Sequence, residues 1–540
     1  MNCKRVLGPS LLVLLLAAAV GVAPAADEPS LRIRDTFFMS QGLTPPLGGT
    51  SFEHRVSYQI YEGLTALDSV AMARGESKPP VPSLAQSWEI SPDGKVYTFK
   101  IRRGIKFSTG RPLTAQAVKK SLDRAIAVHK REAITTFGWT DQITSIDAVD
   151  EGTLRVTLSE AYGAMLGALA AKAFLVVDVD ELTAHQETTD KGPDMGIKWG
   201  QTHSVGTGPF VLEEFIPEQR LTMRRNPNYW GGFDGVKPSV ERLIWVHVPE
   251  NATAELMIGA GEVDIALVMD PMSLKTPEKN SSIRVVTYPS FITCNLLVDR
   301  RTPALTDDRG FQALRYAIDY EGLRDVVAVG QADVHQSLIL PGMLGHDAAI
   351  AKKYKYDPAK AKALLAEAGY PNGFDVKMQM RTGSCGSVVY EKAIQFLQNS
   401  LKAAGIRATI EPSTAAKMWG AILDGSFRDF GMSSLGATYF DADQPASWRA
   451  VSECFKLGLD SVDANTGKRL VALTKAGRVE SNRNKRHDIY REISQLMTDK
   501  CGEVTILQVR DAVVSRSTVS NVIGAPHFFG PDIRYMKKAQ

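Results

Sequence analysis

Cysteine is scarce, with five residues in a chain of 540. None of the spacings repeats the paired C-x-x-C of a structural zinc site, so a zinc-ribbon architecture is excluded. An excess of charge is also missing. Lys and Arg number 63 against 60 Asp and Glu, a formal charge of +3, which leaves no basic footprint for nucleic acid. There is only one long apolar run, and the mean hydropathy of −0.12 excludes a polytopic membrane protein. Fixed-period repeats and low-complexity tracts are absent. So are the common catalytic signatures. The nine histidines are scattered, no pair sits four apart, and H-E-x-x-H does not occur. G-x-S-x-G and the phosphate-cradling G-x-x-x-x-G-K-[ST] are missing too. No nucleophile–base pair is legible, so binding is expected rather than catalysis, with no cofactor and no metal.

What remains is ordinary globular material, 44% hydrophobic and 23% charged. That is enough for packed cores and too much length for one of them. Lys4 and Arg5 precede an unbroken apolar run over residues 11–20, and Ala23-Pro24-Ala25 follows. This order predicts a signal peptide over residues 1–25 and a mature chain of 26–540. Cys3 lies before the apolar run, so it is not the lipid-bearing cysteine of a lipoprotein. A soluble exported protein in the periplasm is expected. Four cysteines then remain in an oxidising compartment: Cys294, Cys385, Cys454 and Cys501. They allow up to two disulfides in three pairings, or buried free thiols.

Helical and strand periodicities are mixed. Tyr97, Phe99 and Ile101 alternate as in a half-buried strand, after a turn at Ser91-Pro92-Asp93-Gly94. Thr114 is positioned to cap a helix with Val118, Leu122 and Ile126 on one face. Asp357-Pro358 opens another helix that Gly369 closes. A strand over 375–380, a helix carrying Ile394, Leu397 and Leu401, a stop at Gly405 and a strand at Ile406, Ala408 and Ile410 complete a β-α-β unit. That order predicts a partly parallel α/β domain with its ligand crevice at strand ends. Gly206-Thr207-Gly208 lacks the third glycine of a dinucleotide loop and reads as a tight turn. Asp441 and Asp443 read as turn-forming or surface carboxylates rather than an acid/base pair.

Two stretches say more. The first is Leu84-Ala85-Gln86-Ser87-Trp88-Glu89-Ile90-Ser91-Pro92-Asp93-Gly94-Lys95, continuing through Tyr97, Phe99, residues 101–108 and Gly110-Arg111-Pro112-Leu113-Thr114-Ala115. The second is residues 205–212 with Asn226-Pro227-Asn228-Tyr229-Trp230-Gly231-Gly232. Together with Tyr61-Glu62-Gly63-Leu64 and residues 313–319, they resemble the family 5 extracellular solute-binding proteins of ABC importers. Relatives in that family bind oligopeptides, dipeptides and nickel complexes. The resemblance covers essentially the whole mature chain, and its aromatic residues are expected to pack rather than touch solute.

The resemblance implies a periplasmic binding protein-like fold (type II, cluster C): two lobes, a hinge of two crossing strands and an extra α+β domain. Lobe one would hold residues 26–65 and 176–286, with the extra domain at 66–175. Lobe two would hold 287–503, and residues 504–540 would return to lobe one. The crossings are expected near Tyr288-Pro289-Ser290 and over 504–514. It also implies a small peptide or peptide-like solute, a monomer, and a cognate permease whose ATPase subunits are separate chains. Nucleic acid is not among the implied partners. In peptide-binding relatives an Asp after a strand meets the solute's amino group. Alignment places Leu435 on the family Trp, Thr438 on that Asp and Tyr439 on the following Tyr, leaving Asp441 as a substitute only if the loop has shifted. A hydroxyl there suits a sugar, an opine-like conjugate, an amide or a capped peptide. Trp419, Arg381 and Thr44 are the other ligand-contact candidates. A chemoreceptor-signalling role is the alternative use of the same fold.

Overall fold

The computed structural model describes residues 29–539 apart from 37–41, 48–49, 77, 133–137, 232–239, 268, 270–271, 276–279, 437–438 and 527–529. The expected signal peptide and Thr438 therefore lie outside the described residues.

A single large sheet organises the chain. Its order is Phe210–Ile216, Arg220–Arg225, Arg242–His247, Ser30–Asp35, Ile265–Leu267, Glu503–Arg516, Ile283–Val298, Phe430–Gly436, Phe374–Met380 and Ile406–Pro412. Ser30–Asp35 runs parallel to both its neighbours, and Phe374–Met380 runs parallel to Ile406–Pro412. The expected β-α-β unit supplies the latter pair. Asp357 accepts a hydrogen bond from the Lys360 N–H and opens helix Pro358–Glu367. Helix Tyr390–Ala403 buries Ile394, Leu397 and Leu401. Gly405 then takes φ +92°, a conformation that side chains resist.

The two long strands at the centre pair antiparallel, and their register breaks between Pro289 and Thr293 and shifts again between Cys294 and Asn295. Residues 290–292 there stand against Val509. Proline has no N–H to give a ladder, and buried side chains fill in. The Ser290 hydroxyl donates to the Val509 carbonyl at 2.9 Å, and the Gln508 amide donates to the Ser290 carbonyl at 2.9 Å. Neighbours change across this bulge. Below it, residues 513–515 pair with Ile265–Leu267. Above it, residues 292–298 pair with Phe430–Gly436, and residues 507–509 with Ala332–Val334. The strands thus cross from one lobe to the other, each lobe having its own core. A bulge between two rigid bodies is where a hinge can bend.

A separate antiparallel sheet of Ala85–Ile90, Val96–Ile101, Thr153–Leu158 and Ile143–Asp150 packs under helix Ala115–Arg131. Thr114 caps that helix by accepting from the Ala117 N–H. Phe99, Phe107 and Leu122 are buried in its core, with Trp88 packed against it. Burying each such side chain contributes roughly 1.5–3 kcal/mol. Three of the recognised motifs meet at one carboxylate. Buried Glu62 accepts from the Trp230 indole and from the Thr207 hydroxyl, both at 2.8 Å. Gly206 and Gly208 pack on the Ile60 backbone so closely that a Cβ at Gly206 would lie 2.0 Å from the Ile60 carbonyl oxygen. The Gly206-Thr207-Gly208 turn is a packing device.

The four cysteines pair as Cys294–Cys385 and Cys454–Cys501, with Cα separations of 5.7 and 5.2 Å.

Candidate functional site

The carboxyl ends of the parallel strands in lobe one face lobe two across a cavity of about 470 Å³. Lobe one contributes Thr36, just past strand Ser30–Asp35, and Leu267 and Met269 at the end of the next strand. It also contributes the first turn of helix Ser51–Ile60. That turn is held by a reciprocal cap: the Thr50 hydroxyl accepts from the Glu53 N–H at 3.2 Å and the Glu53 carboxylate accepts from the Thr50 N–H at 2.9 Å. The cap presents Thr50, Ser51, Phe52 and Arg55 to the cavity.

Lobe two contributes Ser384, Gly386, Ser387 and Val389, from the loop between strand Phe374–Met380 and helix Tyr390–Ala403. Disulfide Cys294–Cys385 pins this loop to the crossing strand. Gly386 lets it lie close, since a Cβ there would sit 2.6 Å from a Val509 methyl. The floor is the crossing strands themselves: Tyr288, Ile292, Arg510, Asp511 and Ala512.

Among the described residues, the charges of this cavity are arranged in pairs with one exception. Arg55 forks onto Asp35 with two contacts of 2.8 Å, both side chains buried. Arg510 donates to Asp333 at 2.8 Å. The Asp511 carboxylate makes no hydrogen bond or ion pair with any described residue. Burial holds it up to about 6, against the pull of Arg55. The Tyr288 hydroxyl, paired with Asp511 in the strand register, is pushed well above its ordinary value by burial, with Asp511 adding to the push. The rest of the lining is hydroxyl, amide and apolar. Among the described residues, no histidine lines it and no cluster of three metal-ligating side chains exists. Such a surface can hold a polar solute by hydrogen bonds and one charge contact.

The residues expected from sequence lie beside this cavity or away from it. Thr44 is buried in lobe one, where its hydroxyl donates to the Gly200 carbonyl at 2.5 Å and lies 3.0 Å from the Tyr61 hydroxyl. Arg381 stacks on the Tyr390 ring at 4.3 Å and donates to the Met432 carbonyl at 3.3 Å. Trp419, on helix Ala415–Leu423, packs against a small core with Leu297, Met418 and Phe427. Asp441 forms a bidentate pair with Arg486 at 2.6 and 2.9 Å. Tyr439 is buried, and its hydroxyl donates to Asp443 at 3.0 Å.

Asp443 differs from its expected role as a turn or surface carboxylate. It is 1% exposed and collects Tyr162 and Tyr439 hydroxyls at 3.0 Å each, the Ser447 hydroxyl at 2.8 Å and Arg478 at 3.3 Å. Tyr162 comes from the core of the four-stranded unit, so this cluster ties that unit to the segment following strand Phe430–Gly436. The Gly163 N–H reinforces the tie by donating to the Arg478 carbonyl at 2.7 Å. Tyr162→Phe keeps the ring and deletes the bridge. It is expected to lose about 1 kcal/mol of stability and to enlarge the ligand-free radius of gyration. Small-angle scattering that shows identical radii for both proteins would mean that the bridge does not restrain the lobes.

Asp511 and Tyr162 were not among the expected site residues. One signal for Asp511 is visible: Arg510-Asp511 is a charged pair in the interior of strand Glu503–Arg516, between Val509 and Ala512-Val513-Val514.

The model of the family described as bacterial extracellular solute-binding proteins, family 5 Middle, matches residues 79–453. The glutathione-binding protein GsiB of Salmonella choleraesuis (strain SC-B67) is 28% identical over 408 residues, 74% of each chain. Among solved structures, HbpA2 from Haemophilus parasuis superposes with a TM-score of 0.79 at 21% identity, covering 95% of this chain and all of that one. The periplasmic binding protein DppA from Helicobacter pylori, in complex with the peptide STSA, gives 0.70 at 22% identity, covering 95% of this chain and 98% of its own.

Proposed function

The chain belongs to the bacterial extracellular solute-binding proteins of family 5, and from that premise we propose that it is the periplasmic substrate-binding component of an ABC importer. It captures a peptide or peptide-like solute between its lobes and delivers it to a membrane permease served by separate ATPase subunits. The observation that carries this is the cavity of about 470 Å³ whose walls come from both lobes and whose floor is the pair of crossing strands. A solute that contacts both walls stabilises the closed form over the open one, which is the signal a permease can read. Hydroxyls and amides along the lining, with a charge on the floor, suit the carbonyls and termini of a short peptide. The binding of glutathione and of a peptide, named for GsiB and DppA, is in keeping with this.

In this scheme lobe one is residues 26–65, 176–286 and the return from 504, with 66–175 as its extra domain and 287–503 as lobe two. The signal peptide over 1–25 exports a non-lipidated monomer. Among the described residues no helix is long and apolar enough to cross a membrane. Thr438 supplies a hydroxyl where peptide-binding relatives carry the amine-binding Asp, which leaves that amine to be met elsewhere.

Native mass spectrometry of protein purified without denaturation is expected to reveal a co-purified mass in the peptide range. Glutathione and short dipeptides supplied to the stripped protein are expected to raise its melting temperature by a few degrees. Saturation at a hundredfold excess over Kd adds roughly 2.7 kcal/mol to stability. A co-purified sugar or opine, with no shift from any peptide, would transfer the same transport role to a non-peptide solute.

A further inference from the structure

We propose that the Asp511 carboxylate is a cation-binding subsite of the cleft, and that it receives an ammonium, or another nitrogen cation, of the captured solute. The proposal rests on the solute-capture function above and adds the residue that selects charge.

Asp511 stands on the cavity floor, on the strand that joins the lobes. Its strand neighbours Val509, Val513 and Val514 are fully buried, so a carboxylate here is not a casual surface group. It is half-buried, its oxygens reach the cavity, and it makes no hydrogen bond or ion pair with any described residue. The charges around it come in closed pairs. Arg55, on helix Ser51–Ile60, forks onto Asp35. Arg510, next in sequence, reaches Asp333 on the neighbouring strand and the Thr287 carbonyl. Across the ladder, the hydroxyl of Tyr288 stays neutral. From lobe two the facing groups are Gln331, Ser384 and Ser387, all uncharged. Among the described residues, one negative charge is therefore left over on the cavity floor, and both walls stand around it. A cation bound there completes the arrangement, and the gain is largest when both lobes close and exclude water.

The arrangement also sets a sign. Burial holds the carboxylate near 6, above its ordinary 3.8. In the ligand-free protein its contribution to stability is full below the ordinary value and is lost as pH rises through about 6. With a cation bound the order reverses, and affinity falls as pH drops through that range.

The test compares the wild-type chain with Asp511→Asn in two measurements. Calorimetry uses L-alanyl-L-alanine and glutathione, each with a free and an N-acetylated amino group. The wild type is expected to bind the free-amino forms, and Asp511→Asn to weaken them by roughly 30-fold or more while leaving N-acetylated forms unaffected. Equal binding of free and blocked forms by the wild type overturns the subsite and leaves solute capture standing. So does equal binding of free-amino forms by the two proteins.

The second measurement needs no ligand. Between pH 4.5 and 7.5 the wild type is expected to lose melting temperature relative to Asp511→Asn. If no peptide binds either protein, the peptide assignment fails, and this comparison still decides: parallel melting profiles overturn the subsite. Asp511→Glu, which keeps the charge, is expected to retain the preference for free-amino forms.

Discussion

Asp443→Ala is expected to destabilise the protein by about 3–5 kcal/mol, the range for removing one partner from a buried charge cluster. The carboxylate is buried and serves donors from four separate stretches of chain. Tyr162 lies 281 residues before it, Tyr439 and Ser447 flank it, and Arg478 lies 35 residues after it. Tyr490 completes the group at 3.4 Å. Deleting the carboxylate leaves three phenols and a half-buried guanidinium to find other acceptors. Few are at hand, because neighbouring Asp441 is already engaged by Arg486. Asp443→Asn keeps the shape and one carbonyl acceptor, so its cost should be clearly smaller. Denaturant unfolding monitored by circular dichroism separates the two. A loss within 1 kcal/mol for the alanine variant would show that water or rearranged tyrosines replace the carboxylate. Because Tyr162 belongs to the four-stranded unit, the alanine variant should also lower solute affinity without touching the cavity.

The second large effect is expected from the disulfides. Replacing Cys294 and Cys385 by serine frees a loop spanning 91 residues, and replacing Cys454 and Cys501 frees one of 47. Chain entropy puts the losses at roughly 4–5 and roughly 4 kcal/mol. Stability alone will therefore not distinguish the two bridges; location does. Cys385 sits between Ser384 and Gly386, in the loop that walls the cavity. The bridge at Cys454 and Cys501 lies in a different core, with Leu459, Tyr490 and Met497. Both double variants should melt earlier, and only the first should also bind solute more weakly. Thiol labelling of the denatured, non-reduced protein checks the premise directly. Reactive thiols at these four positions under denaturing conditions would contradict the pairing.

Much of the fold was legible locally. Asp357-Pro358 and Thr114 announce helix starts because capping is a contact between near neighbours. Alternation at Tyr97, Phe99 and Ile101 announces a strand because the strand period itself exposes one face. The motifs at residues 84–95, 205–212 and 226–232 carry the family. The site was far less legible. Thr44, Arg381 and Asp441 have the right chemistry for ligand contact, yet each already has partners inside the protein. A side chain's chemistry shows what it can bind, and only its neighbours show what it has bound already.

The sequence by itself determined the α/β class, the two-lobed family and the position of several elements, among them helices Ala115–Arg131 and Tyr390–Ala403 and strands Val96–Ile101 and Ile406–Pro412. All of these are written in short-range patterns. Only the tertiary structure decided which cysteines pair, why Glu62 gathers three motifs, and that Asp443 is a buried hub while Asp511 has no partner among the described residues. Those outcomes depend on residues tens to hundreds of positions apart meeting at a few ångströms. Such meetings follow from how the two lobes and the crossing strands pack, and no local pattern encodes them.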